Sequence, residues 1–474
     1  MKTRVLVIVF DALRPEFVTP DLMPNLHGFA ASGCWFDNHH SVFPTETRVN
    51  QSAVVTGCYP QRHGVVANRF PIPAVPGQVV STADDEALEA MLSRLGEPLL
   101  GRPTLGARLA ANGGRLATIS AGTPGGGRLI NIDAAETGGL RFALHRPVAA
   151  EPAGVANRIT DKIGPVPPYM RPAVDWNRYA VDAWLDVIDP ENRPDVTLLW
   201  LCEPDESFHW HGIGSPESLT AIEGVDAAFG EILTRKSDEI ASGELQVIAM
   251  SDHGQATLTG GKVQIDKRMQ DAGFRAATDP GDGVDYTVAV HSAGGIWVRD
   301  SDPALTASAV QWLESQDWCG PVFTRDGISG TLTHADLMAD HIRAPDIYLA
   351  LAEWDGANAW GIDGQTSDNA PYPDGNGCHG GLTRHELHNV LAMGGTAFKQ
   401  GKRFNAPSGN VDILPTLAHL LGIGCGDVDG RVLTEAFPGG AEPDFSTGKL
   451  NGGRTRLRRS TCDGTVYLDR GWVG

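Results

Sequence analysis

The sequence contains six Asp and His residues whose positions suit a metal centre. Five of them come soon after short apolar runs, and the sixth lies in a glycine-rich turn: Asp11, Asp205, His209, Asp252, His253 and His379. Carboxylate oxygens and imidazole nitrogens are ligands that zinc binds well, and manganese accepts a similar set. These residues therefore predict binding of one or two divalent cations.

Spacing within this set indicates two local pairs. Asp205 and His209 are four residues apart, so one helical turn can bring both onto one cation, with His211 as the alternative to His209. Asp252 and His253 are neighbours after an apolar strand, where the turning backbone lets both reach one metal. Buried Asp and His residues are often only hydrogen-bonded core residues. The joint occurrence of the pairs is what favours a metal centre.

The two single residues of the set are weaker signals when each is taken alone. His379 lies among glycines that let the backbone approach a site closely, and His385 and His388 are nearby alternatives. An exposed turn histidine would explain the same pattern. Asp11 could equally be a helix cap.

Thr47 is the candidate nucleophile. It lies in the segment Phe-Pro-Thr-Glu-Thr-Arg-Val-Asn at residues 43–50, ahead of an apolar run at 53–55. Pro44 and the Thr-Glu-Thr cluster are typical of a helix N-terminus, where free N–H groups and the helix dipole favour an anion. An alkoxide is easier to form there, and a phosphate is easier to hold. The alternative is that Thr45 or Thr47 is only a helix cap.

The elements that must position these residues follow from strand-length apolar runs. The apolar runs lie at residues 5–10, 116–119, 196–201, 245–250 and 347–351. Helix-like stretches at 104–112 and 219–233 lie between them. This alternation predicts an α/β fold with a mostly parallel central sheet flanked by helices. Ligands bind at the carboxyl ends of such strands, so the acidic and histidine residues there are expected to converge.

Composition divides the chain further. Residues 268–343 have strand and helix signals of their own and interrupt the alternating pattern, which predicts an inserted cap subdomain. We therefore expect a catalytic core of residues 1–267 and 344–440, with 441–474 as a C-terminal tail. The Arg-rich stretch 454–459 in that tail is expected to be solvated.

Charge and cysteine usage limit the class of protein. The 474 residues carry a formal net charge of −20, which disfavours binding to a nucleic-acid duplex. The apolar run at 5–10 is too short for a signal peptide or a membrane span. Seven scattered cysteines without CxxC spacing indicate neither a disulfide framework nor a thiolate zinc site. We expect a cytoplasmic protein without membrane association.

The chain resembles the nucleotide pyrophosphatase/phosphodiesterase branch of the alkaline phosphatase superfamily. That family has a Thr-Phe-Pro-Asn loop entering a helix that ends TGxYPxxHG, and this chain has Thr-Gly-Cys-Tyr-Pro-Gln-Arg-His-Gly at 56–64. The resemblance implies that Thr47 is the nucleophile and that Asn50 binds the phosphoryl oxygen. Arg48 replaces a Phe that borders the leaving-group pocket, so Arg48 is a further candidate for substrate binding.

The resemblance also implies how the metals are held. The superfamily places its ligands in the chain order found here, so two divalent ions are implied, with zinc as the first choice and manganese as the second. One ion is assigned to Asp205, His209 and His379, and the other to Asp11, Asp252 and His253, with Thr47 against the pair as a seventh metal residue. The segment 412–416 resembles the closing helix of the family.

We therefore expect hydrolysis of phosphodiester or pyrophosphate bonds in a small-molecule phosphoester through a phospho-threonine. A phosphonate hydrolase or phosphomonoesterase would share the metals and the threonine and differ in the charge around Arg48. A non-catalytic phosphate-ligand binding module is the remaining alternative. The oligomeric state, including a homo-oligomer, stays open.

Overall fold

A computed structural model describes residues 3–72 and 75–474 of the chain, and its main element is an eight-stranded sheet. The order across the sheet is Lys402–Phe404, Cys34–Phe36, Leu391–Gly394, Leu245–Met250, Arg4–Phe10, Val196–Leu201, Leu116–Ser120 and Leu140–Ala143. Of these eight strands, Leu391–Gly394 alone runs antiparallel to the others. The predicted α/β class with a mostly parallel sheet is confirmed.

Strand Arg4–Phe10 lies in the middle of the sheet and pairs in parallel with Val196–Leu201 and with Leu245–Met250. All seven of its residues are buried. Val5, Val7 and Val9 pack into the core on one face of the sheet, and the alternate residues pack into the core on the other face. A strand covered on both faces needs such a continuous apolar run, because successive side chains point to opposite sides.

Helices cover both faces of this sheet. Helices Thr47–Thr56, Leu105–Ala111 and Ile413–Leu421 contribute to the first core. Helices Pro24–Ser32, Val174–Ala183 and Pro216–Arg235 contribute to the second. The further helices are Pro60–His63, Asp85–Leu95, Pro124–Leu129, Ala134–Thr137, Val155–Ile163, Asp189–Asn192, Asp205–His211, Ser237–Ser242, Ile265–Asp271, Pro303–Glu314 and Arg384–Leu387.

A second sheet of six strands includes most of the predicted insert. Its order is Ala276–Ala277, Tyr286–Val290, Ala293–Val298, Ile347–Leu351, Cys319–Thr324 and Leu332–Thr333. The assignment of Ile347–Leu351 to the parallel sheet was therefore wrong, because this strand pairs antiparallel with Ala293–Val298 and Cys319–Thr324. The division into core and cap stays a prediction, and the second sheet includes a strand beyond residue 343.

The C-terminal residues form a sheet, which corrects the expectation of a tail. Strands Phe445–Gly452, Thr455–Cys462 and Thr465–Val473 pair in an antiparallel meander. The Arg-rich stretch lies within the middle strand, where buried and less buried residues alternate, and is not a solvated extension. The Tyr467 hydroxyl donates a 2.8 Å hydrogen bond to Asp412, which lies just before helix Ile413–Leu421.

Smaller sheets connect these units. One has three strands, His388–Asn389, His39–His40 and Ser408–Gly409, and another has four, Glu353–Ala357, Asp363–Asp368, Ala256–Lys262 and Gly377–Cys378. A hairpin pairs Arg69–Ile72 with Val75–Ser81. All seven cysteines are free. Throughout residues 3–72 and 75–474, each helix is too short or too polar to cross a bilayer.

Candidate active site

The candidate site lies where the central strands end. Asp11 follows strand Arg4–Phe10 directly, and Asp252 and His253 follow the neighbouring strand Leu245–Met250. Asp205 is the first residue of helix Asp205–His211, four residues after the end of strand Val196–Leu201. Because these three strands are parallel neighbours, their carboxyl ends open onto one edge of the sheet.

Asp205, His209 and His379 form the first ligand group. The Asp205 Oδ1 atom lies 3.3 Å from His209 Nε2 and 3.5 Å from His379 Nε2. One turn of helix places His209 beside Asp205, as the spacing predicted. His379 directly follows strand Gly377–Cys378. His211, the alternative to His209, is not part of this group.

His253 is the centre of the second group. Its Nε2 atom lies 3.2 Å from Asp252 Oδ2 and 3.6 Å from Asp11 Oδ1. Asp205 lies close to both groups, since its ligand atom also falls within 4.8 Å of those of Asp11 and His253. The His253 and His379 rings stack with their centroids 3.9 Å apart, so the two groups adjoin.

Backbone carbonyls orient all three imidazoles. The Nδ1 atom of His209 lies 2.8 Å from the Gly377 carbonyl, and that of His379 lies 2.9 Å from the Thr45 carbonyl. His253 Nδ1 lies 3.1 Å from the carbonyl of Gly254. A carbonyl can only accept, so each Nδ1 carries the hydrogen and each Nε2 presents a lone pair to the group. This arrangement is the usual support for a metal-binding histidine.

The carboxylates crowd one another in a buried space. Burial raises the pKa of Asp11 well above its ordinary value, and the charges of Asp252 and Asp205 raise it further. Burial also raises the pKa of Asp252. For Asp205 burial acts in the same direction, but attraction to the protonated forms of His209 and His379 outweighs it and lowers the pKa. Three carboxylates that lie close enough to raise one another's pKa need a compensating positive charge.

The donor atoms fit a bound cation. Within the described residues, Asp11 Oδ1 and Asp252 Oδ2 are buried and accept no hydrogen bond. Their second oxygens are held in place, since Trp200 Nε1 donates to Asp11 Oδ2 at 3.0 Å and the Ala12 amide donates to Asp252 Oδ1 at 3.2 Å. Buried carboxylate oxygens without a donor are costly, and a divalent ion would satisfy both.

Thr47 lies against the second group. It is the first residue of helix Thr47–Thr56 and is 6% exposed, and Glu46 occupies the capping position. The helix-cap interpretation of Thr47 is therefore wrong. Its Oγ1 atom lies 3.1 Å from His253 Nε2. The hydroxyl thus meets the ligand group at a helix N-terminus, where an anion is stabilised.

Asn50 does not face this space, which corrects its predicted role. Its side chain is fully buried, and its Oδ1 atom accepts hydrogen bonds from the Val42 amide and from Asn410 Nδ2, both at 2.8 Å. Its Nδ2 atom donates to the Glu46 carbonyl at 3.1 Å. Both ends of the amide are occupied, so Asn50 braces the loop before Thr47 and cannot bind a phosphoryl oxygen.

Asn68 is the residue that sequence reasoning missed. Its Oδ1 atom accepts a 3.1 Å hydrogen bond from the Arg48 amide, next to Thr47, and its own amide donates to the Glu46 carboxylate. It is half-buried, and within the described residues its Nδ2 atom has no partner. The only signal in the sequence is its position shortly after the His-Gly of residues 63–64, and spacing alone does not link it to Thr47.

Other neighbours of the ligands also escaped prediction. Gln255 is fully buried, and its Nε2 atom lies 2.5 Å from Asp205 Oδ1. Of the alternative histidines, His385 lies 2.8 Å from the Arg14 guanidinium through its Nδ1 atom. His388 belongs to a different group, described below.

Comparison with known proteins assigns the chain to a family. The sequence profile of the type I phosphodiesterase / nucleotide pyrophosphatase family matches residues 5–358. An uncharacterised pyrophosphatase/phosphodiesterase of Schizosaccharomyces pombe is 25% identical over 255 residues, which cover 54% of this chain and 45% of that protein. The rat ectonucleotide pyrophosphatase/phosphodiesterase family member 1 is 26% identical over 52% of this chain and 24% of that protein. The chain thus spans less than half the length of either relative.

Longer matches agree on the fold. A mouse bis(5'-adenosyl)-triphosphatase is 22% identical over 89% of this chain and 78% of its own length. The solved structure of murine ectonucleotide pyrophosphatase/phosphodiesterase 5 superposes with a TM-score of 0.61 at 19% identity, covering 90% of this chain and 98% of that one. Another structure shows an inactive threonine-to-alanine variant of that murine protein in complex with AMP. This chain belongs to the type I phosphodiesterase / nucleotide pyrophosphatase family.

Proposed function

We propose that this protein hydrolyses phosphodiester or pyrophosphate bonds in small-molecule phosphoesters, with Thr47 as the nucleophile. The observation that carries the proposal is the 3.1 Å approach of Thr47 Oγ1 to His253 Nε2, within a buried set of Asp and His ligands. Family membership supports the same class of reaction. The relatives named as pyrophosphatases or phosphodiesterases make this the first class of substrate to test.

Two divalent ions, zinc first and manganese second, are the implied cofactors. Asp205, His209 and His379 would hold one ion, and Asp11, Asp252 and His253 would hold the other beside Thr47. Bound metal would lower the pKa of the threonine hydroxyl and neutralise charge on the phosphoryl group. The two unsatisfied carboxylate oxygens of Asp11 and Asp252 support this assignment.

The protein's own side chains and backbone would carry out the bond-making and bond-breaking steps. Attack of Thr47 Oγ1 on phosphorus forms an oxygen–phosphorus bond and breaks the bond to the leaving oxygen, which gives a phospho-threonine. Water then hydrolyses this ester and restores Thr47. The N-terminus of helix Thr47–Thr56 favours the negative charge throughout, since its first amides have no partner within the helix.

Asn68 is proposed to bind a non-bridging phosphoryl oxygen in place of Asn50. The hydrogen bond from the Arg48 amide fixes the Asn68 Oδ1 atom, which leaves the Nδ2 atom as the donor for substrate. A donor pre-positioned in this way costs no reorganisation during reaction, and such donors are worth about 3 to 4 kcal/mol of transition-state stabilisation.

Arg48 and Arg69 would add positive charge beside the phosphoryl group. Arg48 follows Thr47 and Arg69 follows Asn68, and the charges of both lower the pKa of the buried Glu46 carboxyl, which burial raises to about 7. Within the described residues neither guanidinium has an ion pair with a carboxylate, and Arg48 Nε is buried without a partner. Both groups are therefore available to a second anionic group of the substrate, such as a neighbouring phosphate.

Substrate preference distinguishes the candidate activities. We expect bis(p-nitrophenyl) phosphate to be cleaved faster than p-nitrophenyl phosphate, because a diester needs no clamp for a fully charged terminal phosphate. The phosphonate hydrolase or phosphomonoesterase alternative is favoured by Arg48, and it predicts the reverse ranking. If the monoester is the better substrate, replacement of Arg48 by Gln should abolish the preference for it. The exposed Arg94→Gln variant is the matched control.

Replacement of the nucleophile tests the proposal itself. Thr47→Ala is expected to lower turnover by more than about a thousandfold while the bound metal remains, because covalent attack needs the hydroxyl and the Asp and His ligands are unchanged. Thr45→Ala is the matched control in the same loop, where the hydroxyl bonds the Gly381 carbonyl. Metal-loaded protein that turns over no phosphoester in a broad panel would support a non-catalytic binding module instead.

A further inference from the structure

Another group of ligand-type side chains lies outside the candidate active site. His40, His388 and Asp469, hereafter the His40 cluster, place one ligand atom each within 4.8 Å of the others. The same geometric condition is met in the candidate active site by Asp205, His209 and His379 and by Asp11, Asp205 and His253. The residues come from three distant parts of the chain, so their convergence is a property of the fold.

The strands explain why the two histidines meet. Strand His388–Asn389 runs antiparallel to His39–His40, with His388 directly opposite His40. Directly opposite residues project from the same face of a sheet, and the two ring centroids are 4.6 Å apart. Their neighbours His39 and Asn389 project from the other face, where both contact Asn410.

Asp469 completes the cluster from the C-terminal sheet. It lies in strand Thr465–Val473 and is 5% exposed, and its Oδ1 atom is 3.1 Å from His40 Nε2. Ser460 Oγ donates to both carboxylate oxygens, at 3.1 and 3.0 Å, and holds the group in position. The cluster therefore spans the contact between the core and the C-terminal sheet.

The free nitrogen atoms point to a ligand. His40 Nδ1 lies 3.0 Å from the Ser408 carbonyl, so that nitrogen carries the hydrogen and Nε2 has the lone pair. Within the described residues, neither His40 Nε2 nor the buried His388 Nε2 accepts a hydrogen bond, and His40 Nε2 faces the Asp469 carboxylate 3.1 Å away. Such atoms are rare in folded proteins and usually bond a water molecule or an ion. One cation between them would satisfy both.

The spacing also fits a small divalent ion. With bonds of about 2.0 to 2.2 Å, tetrahedral zinc holds neighbouring ligand atoms roughly 3.3 Å apart. The separation of 3.1 Å between His40 Nε2 and Asp469 Oδ1 is close to that value. Two imidazoles and one carboxylate are ligands of the right chemical type.

We propose that His40, His388 and Asp469 bind a further divalent cation, with zinc as the first choice, which ties the C-terminal sheet to the core. The proposal does not depend on the proposed activity, because no residue of the His40 cluster contacts Thr47 or the Asp and His residues of the candidate active site. The competing arrangement is an ion pair of protonated His40 with Asp469, supported by Arg458, whose Nε lies 3.6 Å from Asp469 Oδ2.

Metal content of the full-length protein tests the site. After saturation with zinc and gel filtration in metal-free buffer, Asp469→Asn is expected to retain one zinc per chain fewer than the wild type. Asp463→Asn, an exposed carboxylate in the turn before the same strand, is the matched control and should retain the full number. The difference of one ion is diagnostic whatever number the active site holds.

A second variant keeps the test decisive if Asp469→Asn does not fold. His388→Ala removes a half-buried ligand and is likewise expected to lose one zinc, with an unchanged far-ultraviolet circular dichroism spectrum. Cobalt titration of both proteins should show one equivalent fewer of visible d–d absorption. Equal metal content in the wild type and the folded variants would overturn the proposal and leave the ion pair as the explanation.

Discussion

Asn50 and Asn68, the two asparagines near Thr47, have different hydrogen-bonding roles. Asn50 is buried and bonds Val42, Glu46 and Asn410 through its amide, so it fixes the loop that precedes Thr47. Asn68 uses its carbonyl oxygen to fix the Arg48 amide and has its nitrogen free. One residue therefore contributes to the stability of the loop, and the other is placed to contribute to the reaction.

Replacement of each asparagine by alanine should separate these contributions. Asn68→Ala is expected to lower kcat by about a hundredfold to a thousandfold with little change in stability, because one donor to the phosphoryl oxygen is lost. Asn50→Ala is expected to lower the free energy of unfolding by about 1 to 3 kcal/mol, since it leaves the buried Val42 amide without an acceptor. Steady-state kinetics and urea denaturation of both variants check this, and exchanged effects would contradict the assignment.

Five of the six candidate ligand residues could be identified from the sequence because each is tied to a recognisable local feature. Asp11 and the Asp252–His253 pair follow apolar strands, and the four-residue spacing of Asp205 and His209 needs only one helical turn. Asn68 has no such local mark. Its relation to Thr47 exists only after helix Thr47–Thr56 has folded, which is why proximity along the chain suggested Asn50 instead.

Elements were predictable where their apolar pattern was long enough to identify them. The helix expected at 219–233 is Pro216–Arg235, and that expected at 104–112 is Leu105–Ala111. Ile347–Leu351 has the same buried, apolar composition as the central strands, yet it pairs in the second sheet. Composition predicts that a strand is buried but does not specify its partner. The three C-terminal strands escaped prediction because their exposed positions are rich in Arg, Gly and Thr.

Helix Arg384–Leu387 gives the stability of the fold a dependence on pH. Glu386 is fully buried and accepts hydrogen bonds from the amides of Gly381, at 2.7 Å, and Thr383, at 3.2 Å. Burial raises the pKa of Glu386 to about 7. The protonated form is thus favoured in the folded state, and this contribution to stability is lost as pH rises from the pKa of the unfolded chain, about 4.3, through about 7.

Glu386→Gln should remove this dependence. The free energy of unfolding of the wild type is expected to fall relative to that of the variant by about 3 kcal/mol between pH 4.5 and pH 8, because only the wild type must bury a charge at the higher pH. Urea denaturation of both proteins across this range measures the difference, and Glu217→Gln on an exposed helical position is the control. A difference that stays constant with pH would refute the explanation.

At the scale of the whole molecule, the charge of −20 leads us to expect that bound cations support both folding and substrate binding. An anionic substrate approaches a protein of the same sign, so attraction must come from local groups such as the metals, Arg48 and Arg69. The same metals would offset repulsion among Asp11, Asp205 and Asp252, whose carboxylates share one buried space. Stability and activity are therefore expected to be lost together on chelation.

Exhaustive chelation should abolish activity and lower the melting temperature by roughly 10 °C for each ion removed. An ion at a thousand times its dissociation constant stabilises the native state by about 4 kcal/mol, which shifts Tm by about 2 to 4 °C per kcal/mol in larger domains. Differential scanning calorimetry before and after chelation, and again after zinc is restored, measures this. Asp252→Asn should show a smaller shift. Full activity after chelation would exclude the two-metal proposal.

The central place of strand Arg4–Phe10 has a consequence for biosynthesis. Its partners lie roughly 190 and 240 residues further along the chain, a delay of about 10 to 50 s at ordinary rates of translation. Until those partners are synthesised, the apolar segment Arg4–Phe10 has neither edge paired. An unpaired apolar segment of this kind is prone to aggregate. Production of this protein is therefore expected to depend on chaperone supply.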